Sequence, residues 1–405
     1  MSQFFRPTRP LVFAEFVGLM AALFALAALS IDAMLPALPQ IAQDLSPEAP
    51  NRAQLVVTSF VLGLGIGMMM MGALSDALGR KPVIALGIGL YIIGSGLAAL
   101  ADSLPLLLAA RMLQGLGISA PRTVGVAMIR DLYQGRIMAR VMSIVMTIFI
   151  LVPAAAPFIG QTILLVAGWR MIFMAFIAFG LFALVWMSAR QPETLAPERR
   201  RPFRLGSIWS SLREVMIHRR VQLYIIAMTL GFGQLFALLS AAQPIYDVYY
   251  GRGDSFAAWF ALQALLAGTA GLVNAALVVR LGMRRIVVTA FATQVVISSL
   301  ATFAWATGLA GGEGSFPIFF LWTVSVFFMA GVTFGNLNTL ALEPMGHIAG
   351  MAAAAVGAVS TVLAVLVAAP IGLAFDGTPL PLMIGVLSAS GLALAAMIAA
   401  DRFPG

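Results

Sequence analysis

The sequence predicts an all-α membrane protein, with twelve transmembrane helices arranged as two pseudo-symmetric six-helix bundles. Three observations carry that prediction. Apolar runs of about 20 residues, each enough to cross roughly 30 Å of hydrocarbon as a helix, recur along the whole 405-residue chain. One strongly charged segment, residues 190–220, sits at the middle and divides those runs six and six. A short glycine-rich, basic corner in the first half has a weaker copy 203 residues later in the second.

Composition narrows the function classes. The chain is 61% hydrophobic and 10% charged, with a mean hydropathy of +0.99; a soluble domain carries about 25% charged residues. Barrel strands would show short alternating segments, a pattern the sequence lacks. With no cysteine, there is no disulfide, thiolate chemistry or Cys-based metal site, and two histidines, His218 and His347, leave little for zinc or haem. Neither a metal nor a cofactor is expected. No G-x-x-x-x-G-K-[ST] loop occurs, so ATP is not the direct energy source. An intramembrane enzyme would need a nucleophile–base pair or a metal cluster in the spans, so no enzyme activity is expected. The first apolar run is too long for a cleavable signal peptide and lacks a small-residue cleavage site.

In order, the expected spans are 11–40, 51–74, 82–101, 104–129, 138–165 and 169–189, then 221–247, 255–279, 285–308, 316–342, 350–374 and 378–400. Pro36 and Pro39 loosen the end of the first. "GALSDALGRKPV" turns the second into the third, and Pro244 breaks the seventh. "RLGMRRIV" turns the eighth into the ninth and repeats "ALGRKPV" with Gly282 aligned on Gly79, although Val279 stands where the first copy has Asp76. The domain reading is therefore a bundle at 1–190, a cytoplasmic linker at 191–220 and a second bundle at 221–405.

Orientation follows from the basic residues. With the N-terminus inside, 19 of the 24 arginines and lysines fall on the cytoplasmic side, including Arg6, Arg9, Arg80, Lys81, Arg140 and eight between 190 and 220. Both termini are then cytoplasmic. The net charge of +8 is spread over these corners, which disposes of a nucleic-acid partner; the lipid bilayer is the expected one.

The corner at 72–83 resembles the loop 2–3 signature of the major facilitator superfamily, G-x-L-x-D-x-x-G-R-K/R, matching at Gly72, Leu74, Asp76, Gly79, Arg80 and Lys81. The residues are readable physically as well. Glycines allow a sharp turn and close helix approach, the two cations hold the corner in water, and Asp76 can pair with Arg140 or face a helix N-terminus. Such a cluster can lock one conformation and open in another; plain positive-inside anchoring would not need Asp76. Three further stretches are similar to the bicyclomycin- and chloramphenicol-resistance exporters of that superfamily. They are "LSIDAMLPALPQIAQDL" in helix 1, "RMLQGLGISA" in helix 4 (Arg111, Gln114, Gly115) and "APFIGQTILLVAGWRMIF" in helix 5. The last resembles the antiporter motif at Pro157 and Gly160, with Ala156 and Gln161 where glycines are usual. The "LEPMGHIAGMAAA" corner resembles the group's helix 10–11 turn. The resemblance implies the major facilitator fold and a monomer in the inner membrane. It also implies proton-coupled export of small amphiphilic compounds such as antibiotics by alternating access. An uptake symporter for a small polar metabolite is the alternative that the two missing glycines keep open.

Asp32 and Arg111 are the expected proton-coupling pair, because ionisable residues inside a span are functional candidates by default. Arg111 could equally brace helix 1 through main-chain carbonyls. Glu15 lies 17 residues before Asp32, about 25 Å along a helix, and reads as snorkelling to the inner surface. Glu343 and His347 read as a solvated loop pair. The expected substrate cavity draws on Asp32, Arg111 and Gln114 from the first half. From the second it draws on Gln234, Gln243, Gln263, Asn274, Asn336 and Asn338, each of which could instead be an interhelical hydrogen bond.

Overall fold

The computed structural model describes residues 11–309 and 311–403; Arg6 and Arg9 lie outside the described residues. The chain forms fourteen α-helices among the described residues: α1 (Phe13–Asp32), α2 (Leu38–Leu45), α3 (Leu55–Leu78), α4 (Arg80–Ala99), α5 (Leu104–Leu132), α6 (Gly135–Ala167), α7 (Arg170–Arg190), α8 (Leu205–Ile217), α9 (Arg219–Pro244), α10 (Phe256–Leu281), α11 (Met283–Ala306), α12 (Phe316–Leu342), α13 (Ala349–Leu373) and α14 (Leu380–Ala399). Eleven continuous stretches among the described residues are long and apolar enough to cross a membrane, and one of these, Phe316–Leu373, holds both α12 and α13. Twelve membrane-length helices result, in agreement with the sequence.

The first and seventh spans change at the prolines the sequence reading named, and the central segment holds an element it did not. The first span is not one helix: α1 ends at Asp32, a 3-10 turn covers Leu35–Ala37, and α2 follows. Pro36 and Pro39 supply no N–H to the helical ladder, which breaks the run there. The seventh span likewise closes in a π-helical turn, Ile245–Tyr249, directly after Pro244. The central charged segment contains a helix of its own, α8, whose Ser211 and Val215 are buried one turn apart on one face.

Two compact units divide the chain. One comprises the residues up to Ala37 with Ser59–Trp209; the other comprises Leu38–Thr58 with Ser210 onward. In the first, α4 packs along α5 and α7, and α1 lies against α6 and α5. The α3–α5 approach is backbone to backbone. A Cβ on Gly115 would fall 1.9 Å from the Phe60 carbonyl oxygen, and one on Gly63 would fall 1.9 Å from that of Met112. Lipid tails are as apolar as leucine, so such close van der Waals packing replaces the hydrophobic drive that joins helices in water.

In the second unit α9 is central, contacting α12, α13 and α14, while α11 packs on α12 and α14 and α10 on α12. Tyr224, Met228, Phe291, Leu337, Val356 and Met397 fill its core. Residues 38–58 join this unit through the C-terminal end of α13. There the Asn51 amide donates to the carbonyls of Leu373 (3.2 Å) and Phe375 (2.5 Å), and Gln54 lies against Gly372. Asn51 thereby occupies acceptors that the end of a helix leaves open.

The internal repeat has a conformational counterpart. Gly79 (φ 107°, ψ 159°) and Gly282 (φ 80°, ψ 149°) each stand immediately before a helix in almost the same positive-φ conformation, one open essentially to glycine alone.

The packing separates two classes of glycine. Gly115→Leu should cost about 3 kcal/mol or more, because the obstructing atoms are backbone. Gly271 has nothing within 4 Å of the Cβ position, so Gly271→Ala should be neutral or stabilising by up to about 1 kcal/mol. Thermal unfolding of the two variants in detergent checks the contrast.

Candidate functional site

Deep in the first unit a closed circuit of hydrogen bonds joins α1, α4 and α5. Arg111, fully buried, donates from Nη2 to the Ser30 carbonyl (2.9 Å) and from Nη1 to Gln114 Oε1 (2.5 Å). Gln114 Nε2 donates to Ser95 Oγ (2.7 Å), and Ser95 Oγ donates to the Tyr91 carbonyl (2.8 Å). Tyr91 returns the circuit to α1 by a hydroxyl–hydroxyl bond of 2.7 Å with Ser30. The guanidinium also lies 4.4 Å from the Phe60 ring centroid and 5.9 Å from that of Phe173. A buried cation is tolerated only when such acceptors and ring faces replace its hydration. The bracing of helix 1 by Arg111 through a main-chain carbonyl is thus present in the structure.

Asp32 is two residues beyond Ser30, at the last position of α1, and is buried with only 5% of its surface exposed. Beyond it the helix breaks, and α6 crosses at the break. A Cβ on Gly160 would sit 2.0 Å from the Ala33 carbonyl oxygen, so no larger residue fits there without moving the backbone next to Asp32. Pro157 and Ala156 are buried one turn earlier on the same helix. The residues singled out in helices 1, 4 and 5 therefore meet around one helix end.

At the opposite end of the first unit lies the corner. Arg80 donates from Nε to Asp131 (2.9 Å), from Nη1 to Ser75 (2.9 Å), and from Nη1 to Asp76 in a short ion pair. Asp76 therefore pairs with Arg80 rather than with Arg140, whose guanidinium stands 5.5 Å from the Phe13 ring centroid. The reason is local: positions 76 and 80 are four apart across the corner, and Gly79 in its positive-φ conformation folds Arg80 back over α3. Glu193 closes the other side. Its Oε1 accepts the main-chain N–H of Arg80, Thr194 and Leu195, each at 2.9 Å, and its Oε2 accepts that of Lys81 at 3.1 Å. A carboxylate here complements the positive N-terminal end of α4. Lys81 Nζ donates to the Ser188 carbonyl (2.7 Å), and the Arg201 N–H donates to the Asp76 carbonyl (2.9 Å). Gly72 lies on α3 one turn before Asp76, and Gly79 has Glu193 Oε2 at 2.6 Å from its Cβ position.

The second-unit polar residues divide into pairs and open groups. Asn336 Nδ2 donates to Asn274 Oδ1 (2.6 Å), Thr323 donates to Gln263 Oε1 (2.7 Å), and Ser390 donates to Gln234 Oε1 (2.8 Å). Asn338 is half-buried on the other side of α12 from Asn336. Among the described residues, Gln234 Nε2, Gln243 Oε1 and Gln263 Nε2 are buried without a hydrogen-bond partner. Each such atom costs about 1–3 kcal/mol if left so, so these three valences invite water or a ligand.

Sequence reasoning missed Ser30, Tyr91, Ser95, Asp131 and Glu193. Asp131 and Glu193 carried a usable signal, being acidic residues in otherwise basic corners; the other three are ordinary helix residues until their neighbours are known. Glu15 does reach a charged partner, Arg190, by two bonds of 2.8 Å. His347 pairs with Glu214 of α8 at 2.6 Å rather than with Glu343, four residues earlier in the same turn.

A model of the Major Facilitator Superfamily matches residues 20–369. YdgK of Bacillus subtilis, an uncharacterized MFS-type transporter, is 30% identical over 377 residues, covering 90% of this chain and 89% of the relative. A bicyclomycin resistance protein homolog of Haemophilus influenzae is 31% identical over 265 residues, 65% of this chain and 66% of the relative. A chloramphenicol resistance protein of Pseudomonas aeruginosa is 35% identical over 219 residues, 54% and 51% of the two chains. The fold matches a D-xylose–proton symporter with a TM-score of 0.72 at 16% identity, over 96% of this chain and 97% of that one. From its motifs, its twelve membrane-length helices and these similarities, the chain is a multi-pass membrane transporter belonging to the Major Facilitator Superfamily.

Proposed function

We propose that the protein is a proton-coupled exporter of small amphiphilic compounds such as antibiotics, working by alternating access in the bacterial inner membrane with both termini cytoplasmic. The observation that carries the proposal is Asp32. It is a carboxylic acid at a helix break, almost wholly withdrawn from solvent, two residues beyond the Ser30 carbonyl that Arg111 holds. Burial disfavours the charged form of an acid, and hydration restores it. An acid whose hydration changes as access alternates takes up a proton facing outward and releases it facing inward. Arg111 acts as a positioning residue, holding the Ser30 turn through its circuit. The relatives named for bicyclomycin and chloramphenicol resistance support a drug substrate.

The polar and aromatic groups of the second unit suit such a substrate. The open valences of Gln234, Gln243 and Gln263 offer directional contacts, and the edge-to-face cluster of Tyr246, Phe256 and Phe316 offers adaptable apolar area. The corner of Asp76, Arg80, Lys81 and Glu193 acts as the gate, its ion pairs forming in one state and parting in the other. Uptake by symport is the alternative, and it rests on Ala156 and Gln161 in place of glycines.

Two predictions follow from this reading. In proteoliposomes of known polarity, Asp32→Asn should abolish accumulation of drug driven by a proton gradient yet retain exchange of labelled for unlabelled drug. Full gradient-driven transport by that variant removes Asp32 as the coupling site, and proton flow in the same direction as substrate establishes symport instead. Glu193→Ala strips four main-chain N–H groups of their acceptor. It should lower stability by about 1–2 kcal/mol and slow transport further than Glu193→Gln does, read by thermal unfolding alongside initial transport rates.

A further inference from the structure

Arg122 takes no part in the circuit around Arg111, although both sit on α5, three turns and about 17 Å apart. It is the nineteenth of the 29 residues of that helix, about 6 Å from the midpoint and well inside roughly 30 Å of hydrocarbon. Among the described residues it has no hydrogen-bond, ion-pair or ring partner, and it is half-buried. Anchoring at the membrane surface does not account for it. A helical side chain leaves its backbone tilted toward the N-terminal end, so Arg122 leans away from the Asp131 corner, about 14 Å further on. The carboxylates of that end are also engaged, Asp76 and Asp131 with Arg80, Glu15 with Arg190, and Glu193 with main-chain N–H groups.

The packing of α5 defines what stands around this cation. With successive residues about 100° apart, α1 and α3 lie close together at the upstream end. There Arg111 reaches Ser30 of α1 from about 20° to one side of Arg122, and Gly115 meets Phe60 of α3 from about 20° to the other. Downstream the two helices part. Ser119 and Thr123 meet Gly67 and Gly72 of α3 at about 60° and 100° from Arg122, whereas Gly125 meets Phe24 of α1 at about 60° on the opposite side. Behind them α4 packs against Gly117 and Ala120. Arg122 therefore projects into a wedge that opens between α1 and α3, with Val126, 37% exposed, in the same sector one turn on. In a membrane such a guanidinium keeps its charge only against water or an anion. A cationic floor with apolar walls, Phe24 on one side and Val126 at the rim, suits a molecule that is acidic at one end and apolar along its length.

We propose that this wedge is the subsite for the acidic head of an amphiphilic organic anion. Arg122 takes the carboxylate through two parallel N–H···O bonds, and the apolar body lies between α1 and α3. The inference rests on the exporter reading and names its substrate class, amphiphilic carboxylates. Full-length protein in phosphatidylcholine nanodiscs, with empty discs as the blank, is titrated with 1-naphthoate and 1-naphthamide, matched in shape and different in charge. Naphthoate should bind at least about tenfold more tightly. Arg122→Gln should erase that difference and leave naphthamide unchanged; Arg122→Lys should keep part of it, having the charge without the planar fork. Val126→Phe, which narrows the wedge and leaves the cation in place, should weaken both ligands. Equal affinity for the two ligands in the wild-type protein overturns the proposal, as does a preference that survives Arg122→Gln. Displacement of naphthoate by an equal concentration of chloride also overturns it, by assigning the cation to inorganic anions. Binding needs no gradient, so Asp32→Asn should keep the preference. A retained preference alongside full gradient-driven transport by Asp32→Asn removes the coupling role alone; a missing preference alongside intact coupling removes the wedge alone.

Discussion

A guanidinium with no solvent exposure, held by a carbonyl of α1 and by a side-chain oxygen of its own helix, organises the first unit. In hydrocarbon an arginine must bring its own polar surroundings, and here they come from α1, α4 and α5 together. Because the bonds close on themselves, displacing any one of the three helices strands several polar groups at once, and each stranded group is more costly than the bond it lost. The register of α1 against α5 is set by that circuit, and with it the height at which Asp32 terminates its helix. The glycine contacts between α3 and α5 serve the same end by other means, since backbone held against backbone permits little sliding.

The corner at Arg80 applies the same logic where water is near. There the acceptors are carboxylates, and one of them, Glu193, arrives from the segment that follows α7. A linker that would otherwise be a tether is thereby stitched to the corner by Glu193 on one strand side and by the Arg201 N–H on the other. Charge and chain path are coupled, so a change of ion pairing at Asp76 is felt by the polypeptide leading out of the first unit.

Much of this was legible in the sequence, and the boundary of legibility has a physical origin. Spans are set by composition over some twenty positions, so the twelve membrane-length helices could be read with no knowledge of contacts. Glycine at 79 and 282 could be read because a positive-φ turn excludes nearly every other residue. Arg111 and Asp32 stood out because charge is rare in hydrocarbon. Ser30 and Ser95 did not, since a serine hydroxyl in a membrane helix satisfies itself on its own backbone, as these do with the Leu26 and Tyr91 carbonyls, and the Tyr91 phenol has no readable partner until α1 is placed beside it. The pairing of Asp76 with Arg80 instead of Arg140 turned on how the corner folds back, and α8 was hidden because its 13 residues are too few to span and lie between arginines at 204 and 219.

The small segment formed by residues 38–58 has a consequence for the order in which the molecule is made. Its asparagine at 51 is fastened to carbonyls 322 and 324 residues further along, among the most distant pairings the chain contains. Those acceptors do not exist until nearly the whole polypeptide has left the ribosome. The first helical hairpin must therefore wait in the membrane with its tip unfinished while nine or so further crossings are inserted, and completion of its tip is coupled to arrival of the chain's closing helices. A nascent protein truncated before Leu373 would carry that early segment without the carbonyls that fasten it.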